Sequence, residues 1–229
     1  MSLKQIAYKS MIVNISDAIV MNAKPLYALL SVAIPKTYSN EDLKELAKGF
    51  KKAAQEFEIQ IIGGDTISNK KLDISVTIIS KSSNPIFRNG VKKDDFLCYT
   101  GTLGSSKKDL EALFKNEKIS KKSKFLKPIL NPKFFYEIAP FITASMDISD
   151  GLFFELERLS KASNVGFEFF DEIDENIGTS GEEYEILFSF NKKNLKKIEK
   201  IAKKYKIKLN IFAKAIKGSY KTDAKNHHF

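Results

Sequence analysis

The chain has 229 residues, enough for one large domain or two small ones and for a sizeable buried core. Hydrophobic residues make up 43 % and charged residues 29 %, an ordinary balance for a globular protein, and no apolar run approaches the roughly 20 residues of a bilayer span, so no membrane partner is expected. The net charge of +10 raises nucleic-acid binding, but all the basic residues except Arg88 and Arg158 are lysines spread along helix-like segments, whereas readers of phosphates and bases favour the arginine fork, so no nucleic-acid partner is expected.

Residues 3–22 form an apolar helix interrupted by Ser10, Asn14 and Asp17, whose i, i+4, i+7 spacing makes one polar stripe. Tyr27–Ile34 is a strand closed by Pro35. Ser39 caps a helix running to about Phe57, with Glu41 and Asp42 in its first turn. Gln60–Ile62 reads as a buried strand ending at a Gly63-Gly64-Asp65-Thr66 turn, and Leu72–Ser80 alternates as a half-buried strand. The polar stretch 81–95 marks a junction between residues 1–85 and 86–229. Phe96–Thr100 is a strand, a lysine- and serine-rich helical stretch runs to about Lys124, and a short helix follows near Phe134–Ala139. Thr143–Asp147 is a strand and Gly151–Ser163 a helix. Val165–Phe169 and Tyr184–Phe190 are strands, Leu195–Tyr205 is a helix, and Leu209–Ile216 closes with strand. Mixed elements without strict βαβ alternation predict an α+β fold. The lone cysteine, Cys98, cannot form an internal disulfide, and residues 1–5 hold no apolar leader, so a cytoplasmic setting is expected.

Four acidic points stand out. Asp17, within a buried helix, needs a metal or a buried cation as partner. Asp65 follows two glycines that let the backbone approach a ligand; a hard cation on a ligand's phosphates and a plain exposed turn both fit. Asp147 and Asp150 flank Ser149 at a strand-to-helix junction. A helix cap explains one acid, whereas two acids and a serine suit Mg²⁺, and a helix N-terminus suits phosphate. Glu182 lies in the acidic Gly181-Glu182-Glu183-Tyr184-Glu185 turn, which would also serve as a solvated turn. Arg88 offers a phosphate clamp or a surface charge. No P-loop, G-x-G-x-x-G after a strand, zinc spacing or Ser–His–Asp set occurs, and no catalytic side chain is assigned.

In order, Val13-Asn14-Ile15-Ser16-Asp17, Ile61-Ile62-Gly63-Gly64-Asp65-Thr66, Phe87-Arg88-Asn89-Gly90-Val91, Met146-Asp147-Ile148-Ser149-Asp150-Gly151 and Gly181-Glu182-Glu183-Tyr184-Glu185-Ile186-Leu187-Phe188 resemble the thiamine-monophosphate kinases of the AIR-synthetase-like (PurM-like) superfamily. The resemblance implies a PurM-like α+β fold, with an incomplete N-terminal domain (1–85) followed by a C-terminal one (86–229). It implies ATP-dependent, Mg²⁺-assisted phosphorylation of thiamine monophosphate to thiamine diphosphate, by a homodimer. By motif match, Asp17, Asp65, Asp147 and Asp150 would be metal ligands. Gly64, Asp65, Arg88 and Ser149 would contact ATP, and Glu182 the thiamine moiety.

The sequence departs from the family pattern. The family's Gly-Asp-Asp segment and the Asp-rich strand after it are absent here, Asn22 stands for a usual glycine, and Glu183 for a usual aspartate. Of the closing aromatic-x-His-Phe only His228-Phe229 remains, with Asn226 at the aromatic position. The alternative expectation is a catalytically impaired paralogue or fragment that folds and dimerises without a complete metal site.

Overall fold

A computed structural model describes residues 1–224. Asn226, His227, His228 and Phe229 lie outside the described residues. The first half opens with helix α1 (Leu3–Val20), whose start is fixed by a Ser2–Gln5 capping box. Strand β1 (Lys24–Pro35), helix α2 (Asn40–Glu56), β2 (Gln60–Asn69) and β3 (Asp73–Lys81) follow. They form a three-stranded sheet in the order β2-β1-β3, with β2 parallel and β3 antiparallel to β1. Ser39 and Asp42 form the second capping box, which explains why α2 starts where it does.

The second half contains β4 (Phe96–Thr100), α3 (Ser105–Phe114), α4 (Pro132–Ile138), β5 (Ala144–Asp147), α5 (Leu152–Ser163), β6 (Gly166–Phe169), the single-turn α6 (Glu175–Gly178), β7 (Ile186–Phe190), α7 (Leu195–Tyr205) and β8 (Leu209–Ile216). Its five-stranded sheet runs β5-β7-β4-β8-β6, antiparallel at every neighbouring pair. The fold is α+β, as the mixed pattern predicts.

Helix α1 is apolar on nearly all sides because it is packed from both. Ala7, Met11, Ile12 and Ile15 are fully buried in a core that also takes in Phe50 and Ala53 of α2, Phe134 and Phe135 of α4, and Phe188 and Phe190 of β7. One continuous core therefore spans both sheets, with α1 as the shared layer. A second cluster, built on Leu152, Leu156 and Leu159 of α5, packs under β5, β6 and β8.

Two expectations are corrected. Gln60–Ile62 is not a short buried strand ending in a glycine turn: β2 continues through Gly63-Gly64-Asp65-Thr66 to Asn69, and every residue of it is exposed. The register with β1 shifts between Ala28 and Leu29, which face Ile61 and Gly63. At this bulge Gly64 adopts a φ of 145°, and a Cβ there would lie 1.8 Å from the Leu30 carbonyl oxygen. The glycines thus permit a bulged strand pressed onto its neighbour. The lysine- and serine-rich segment is not helical to Lys124 either. Helix α3 ends at Phe114, Asn116 takes a left-handed φ of 59°, and the chain crosses the surface in turns until α4. Its charged residues lack the apolar stripe that would keep a longer helix packed.

Candidate active site

Strand β5, which leads into α5, meets the last turns of α1. Asp147, the last residue of β5, is buried at 5 % exposure, and its Oδ2 accepts a hydrogen bond of 2.6 Å from the Ser16 hydroxyl of α1. A further bond, from the Ser145 hydroxyl to the Val20 carbonyl, ties the same strand to the end of α1. Asp17, next to Ser16, projects beside Asp147 from the solvent-facing side of the helix. The seam between helix and strand therefore lies at Ser16 and Asp17, while Ser10 and Asn14 of the polar stripe bond to carbonyls of α1 itself.

A cleft of about 520 Å³ opens over this seam. It is lined by Asp17, Asp147, Ser149, Asp150, Glu155, Arg88 and Arg158, with Val20, Met21, Ile86 and Phe87 as its apolar wall. Burial pushes the Asp147 carboxyl up to about 7, and the negative charge of Asp17 adds to the rise against the opposing Ser16 hydrogen bond. Asp17 is also raised, by desolvation, with Arg88 acting the other way. Burial thus disfavours ionisation at both carboxyls, and the neighbouring Asp17 charge adds to this at Asp147.

Further contacts shape the rim. Ser163, at the end of α5, donates from its hydroxyl to the Arg88 carbonyl at 2.9 Å and accepts from the Val91 amide, which fixes the linker that carries Arg88. Glu155, fully buried in the first turn of α5, accepts from the Asp150 amide at 3.1 Å and the Ser149 hydroxyl at 3.3 Å. Arg158, one turn later, forks onto both Glu155 oxygens at 2.8 and 2.7 Å and also donates to Asp150. Glu182 reaches the region from the opposite side: its amide donates to the Ser149 carbonyl at 2.6 Å, and its carboxylate pairs with Lys9 of α1 at 2.6 Å.

The segment bearing Glu182 is held in an uncommon backbone shape, with φ of 59° at Glu182 and 52° at Tyr184. Between them, buried Glu183 accepts from the Gly104 amide at 2.8 Å, the Ser106 amide at 3.1 Å and the Ser180 hydroxyl at 2.7 Å, and pairs with Lys124 at 2.8 Å. Its carboxylate thus caps the N-terminus of α3 while anchoring the turn.

Of the residues singled out in the sequence, Asp17, Asp147, Asp150, Ser149 and Arg88 share this cleft, and Glu182 borders it through Ser149. Gly64 and Asp65 do not line it. They line a separate open groove between α2 and the edge strand β2, where the Asp65 carboxylate accepts from the Thr66 amide at 2.8 Å. Among the described residues no three acidic, histidine or cysteine side chains are close enough together to hold a metal by themselves. Ser16, Glu155, Arg158, Lys9 and Lys124 escaped the sequence reading. The rarity of arginine was the available signal for Arg158, and its i, i+3 spacing from Glu155 the second.

Residues 1–81 match the family model described as AIR synthase related protein, N-terminal domain. The thiamine-monophosphate kinase of Buchnera aphidicola subsp. Schizaphis graminum is 34 % identical over 229 aligned residues, covering 90 % of this chain and 71 % of that one. The thiamine-monophosphate kinase of Nitrosopumilus maritimus is 32 % identical over 222 residues, covering 89 % and 72 %. The chain belongs to the thiamine-monophosphate kinase family. Among solved structures, AaThiL complexed with AMPPCP and TMP superposes with a TM-score of 0.87 over 100 % of this chain and 82 % of that one, at 22 % identity, so the two share a fold. Family membership is consistent with the PurM-like expectation. The departure at Glu183 is accommodated structurally: the longer acid fills the α3 N-terminus and reaches Lys124.

Proposed function

We propose that this chain phosphorylates thiamine monophosphate to thiamine diphosphate at the expense of ATP, in the cleft between α1, β5 and α5. The carrying observation is the Asp17–Asp147 pair, two crowded carboxyls beside the Arg88 side chain in a cleft whose floor is the Asp147–Ser149–Asp150 junction. In this reaction an oxygen of the substrate's phosphate attacks the γ-phosphorus of ATP while the bond to the β-γ bridging oxygen breaks and ADP leaves. The attacking phosphate is already largely ionised near neutral pH, its second pKa being about 6, so no general base is required. The demands on the protein are charge neutralisation and in-line positioning.

Asp17 and Asp147 fit a divalent cation such as Mg²⁺, because an oxygen-only pair whose ionised forms are disfavoured by burial, with the Asp17 charge adding to the rise at Asp147, gains most from one. When bound, Mg²⁺ supplies neutralisation of phosphate charge. Arg88 offers bidentate hydrogen bonds to a phosphate, and the Ser149 hydroxyl stands at the N-terminus of α5, where anions are favoured. Glu182 presents a carboxylate suited to a cationic ring such as thiazolium. Ser16 holds the Asp147 carboxylate at its Oδ2.

The same reading includes the domains 1–85 and 86–229, a cytoplasmic setting, and a homodimer through the outer face of the three-stranded sheet. Supporting the dimer, Leu29 is 37 % exposed, Ile67 58 % and Ile79 42 %, all on the face turned away from α1 and α2. Gly64 and Asp65 sit on the edge strand of that sheet, so their nucleotide role would require the open groove to serve the site in the assembled enzyme.

Two observations favour the impaired-paralogue reading: Asp150 is engaged by Arg158, and Asp65 lines another groove. A coupled assay of the purified chain with ATP, Mg²⁺ and thiamine monophosphate separates the two. Turnover supports the kinase; nucleotide binding without turnover supports the paralogue.

A further inference from the structure

We infer that Tyr184 is a positioning residue for substrate recognition: its hydroxyl holds the Glu182 carboxylate in the pose that meets the cationic ring of thiamine monophosphate. This deepens the proposed kinase reading and rests on Glu182 taking that role. The Glu182 carboxylate is held at both oxygens. Its Oε1 accepts from the Tyr184 hydroxyl at 3.3 Å, and its Oε2 pairs with the Lys9 ammonium at 2.6 Å. Lys9 is itself confined, because its ammonium lies 3.7 Å from the centroid of the Phe125 ring and its side chain is 12 % exposed. The Glu182 side chain is 27 % exposed, so this carboxylate, fixed from within, remains open to solvent. With one donor on each oxygen it keeps lone pairs for a further partner.

The backbone gives Tyr184 this place under strain. A φ of 52° is uncommon outside glycine and rarer still for a bulky aromatic residue, so the surroundings must enforce it. They do so through two main-chain bonds to the β5–α5 junction. The Glu182 amide donates to the Ser149 carbonyl at 2.6 Å, and the Tyr184 amide to the Ile148 carbonyl at 2.8 Å. The turn bearing Glu182 is therefore tied to the same junction that bears Asp147 and Asp150. The Tyr184 side chain is buried within this frame. Burial, with the charges of Glu182, Asp147 and Asp17, holds its phenol far above the ordinary tyrosine value, so the hydroxyl stays protonated and remains a donor. Removing that hydroxyl changes no charge, and its effect on binding reads the placement of Glu182 alone.

The test is thiamine monophosphate binding to the full chain by isothermal titration calorimetry in Mg²⁺ buffer, with AMPPCP as the control ligand. Wild type is compared with Tyr184→Phe, which keeps the buried ring, with Glu182→Gln, and with the double variant. Tyr184→Phe should bind thiamine monophosphate about fivefold more weakly, the scale of one net hydrogen bond, and Glu182→Gln about tenfold more weakly. The double variant should bind no more weakly than Glu182→Gln, because the hydroxyl acts only through that carboxylate, and AMPPCP affinity should not change. Weakened binding by Glu182→Gln with wild-type binding by Tyr184→Phe overturns this inference alone. Wild-type binding by Glu182→Gln, or no thiamine monophosphate bound by wild type, overturns it together with the role of Glu182. A loss in Tyr184→Phe that is equal for both ligands, or that recurs in the Glu182→Gln background, belongs to a merely structural hydroxyl and also overturns it.

Discussion

Asp147 is a buried carboxyl pushed well above its ordinary value by burial and by the nearby Asp17 charge. Its carboxyl has an ordinary value near 3.8 when unfolded and about 7 when folded, so between those limits the folded chain holds a proton that the unfolded chain has released. The folded state binds more protons, and stability therefore falls as pH rises from about 4 to about 7. Asp147→Asn removes this term. Urea unfolding of the metal-free chain at pH 5 and pH 8 should show wild type losing on the order of a few kcal/mol more than the variant over that interval. Equal losses would mean that Asp147 is ionised without penalty. Glu183 lies at the other extreme, a buried acid with several donors around it. Glu183→Ala leaves Lys124 with only Glu185 and the Thr102 carbonyl and uncaps α3, and it should destabilise by about 3–5 kcal/mol in the same measurement.

At the scale of elements, the strand β2 makes the strongest demand on particular residues. A Cβ on Gly64 would meet the Leu30 carbonyl oxygen at 1.8 Å in a left-handed backbone, whereas a Cβ on Gly63 would meet only the Leu29 Cδ2 at 3.4 Å. Gly64→Ala should therefore destabilise by at least about 2 kcal/mol and loosen β2 from β1, while Gly63→Ala should stay within about 1 kcal/mol. Chemical denaturation with hydrogen exchange of the β2 amides reads both effects. This region also marks where local sequence signals fail. Helices α2 and α7 were legible because each has one apolar stripe, and Ser39 announces its capping box. Strands β4 and β8 were legible as apolar runs bounded by turn residues. Two adjacent glycines look like a turn in any local window, and only the pairing of β2 with β1, many residues away, turns them into a bulge. The end of α3 was illegible for a related reason: the lysines of 115–124 are compatible with a helix but lack an apolar stripe, and Lys124 finds Glu183 and Glu185 only in the fold.

For the whole molecule, α1 is the keystone. Its residues pack against α2 on one side and against α4 and the five-stranded sheet on the other, so the seam carrying Asp17 is as rigid as the core itself. Much of the candidate site was readable in advance, since Asp17, Asp147, Ser149, Asp150 and Arg88 do share one cleft. Of the parts that were not, Arg158 carried only the weak signals of its rarity and its i, i+3 spacing from Glu155, and Lys9 meets Glu182 only in the fold. The outer sheet face adds a further expectation at this scale. Ile67→Lys should shift the chain from dimer to monomer in sedimentation velocity at micromolar concentration, and an unchanged profile would count against the sheet face as the interface.

The most direct test of the central claim is thiamine diphosphate formation from thiamine monophosphate, ATP and Mg²⁺ by wild type and by Asp147→Asn, with folding of both verified. Turnover is expected for wild type, with a loss of about a hundredfold or more in kcat for the variant, the scale expected when a group that holds charge-neutralising cations in the transition state is removed. A wild-type chain that makes no product, or a variant that matches wild type, would contradict the assignment of the Asp17–Asp147 cleft as the site of phosphoryl transfer.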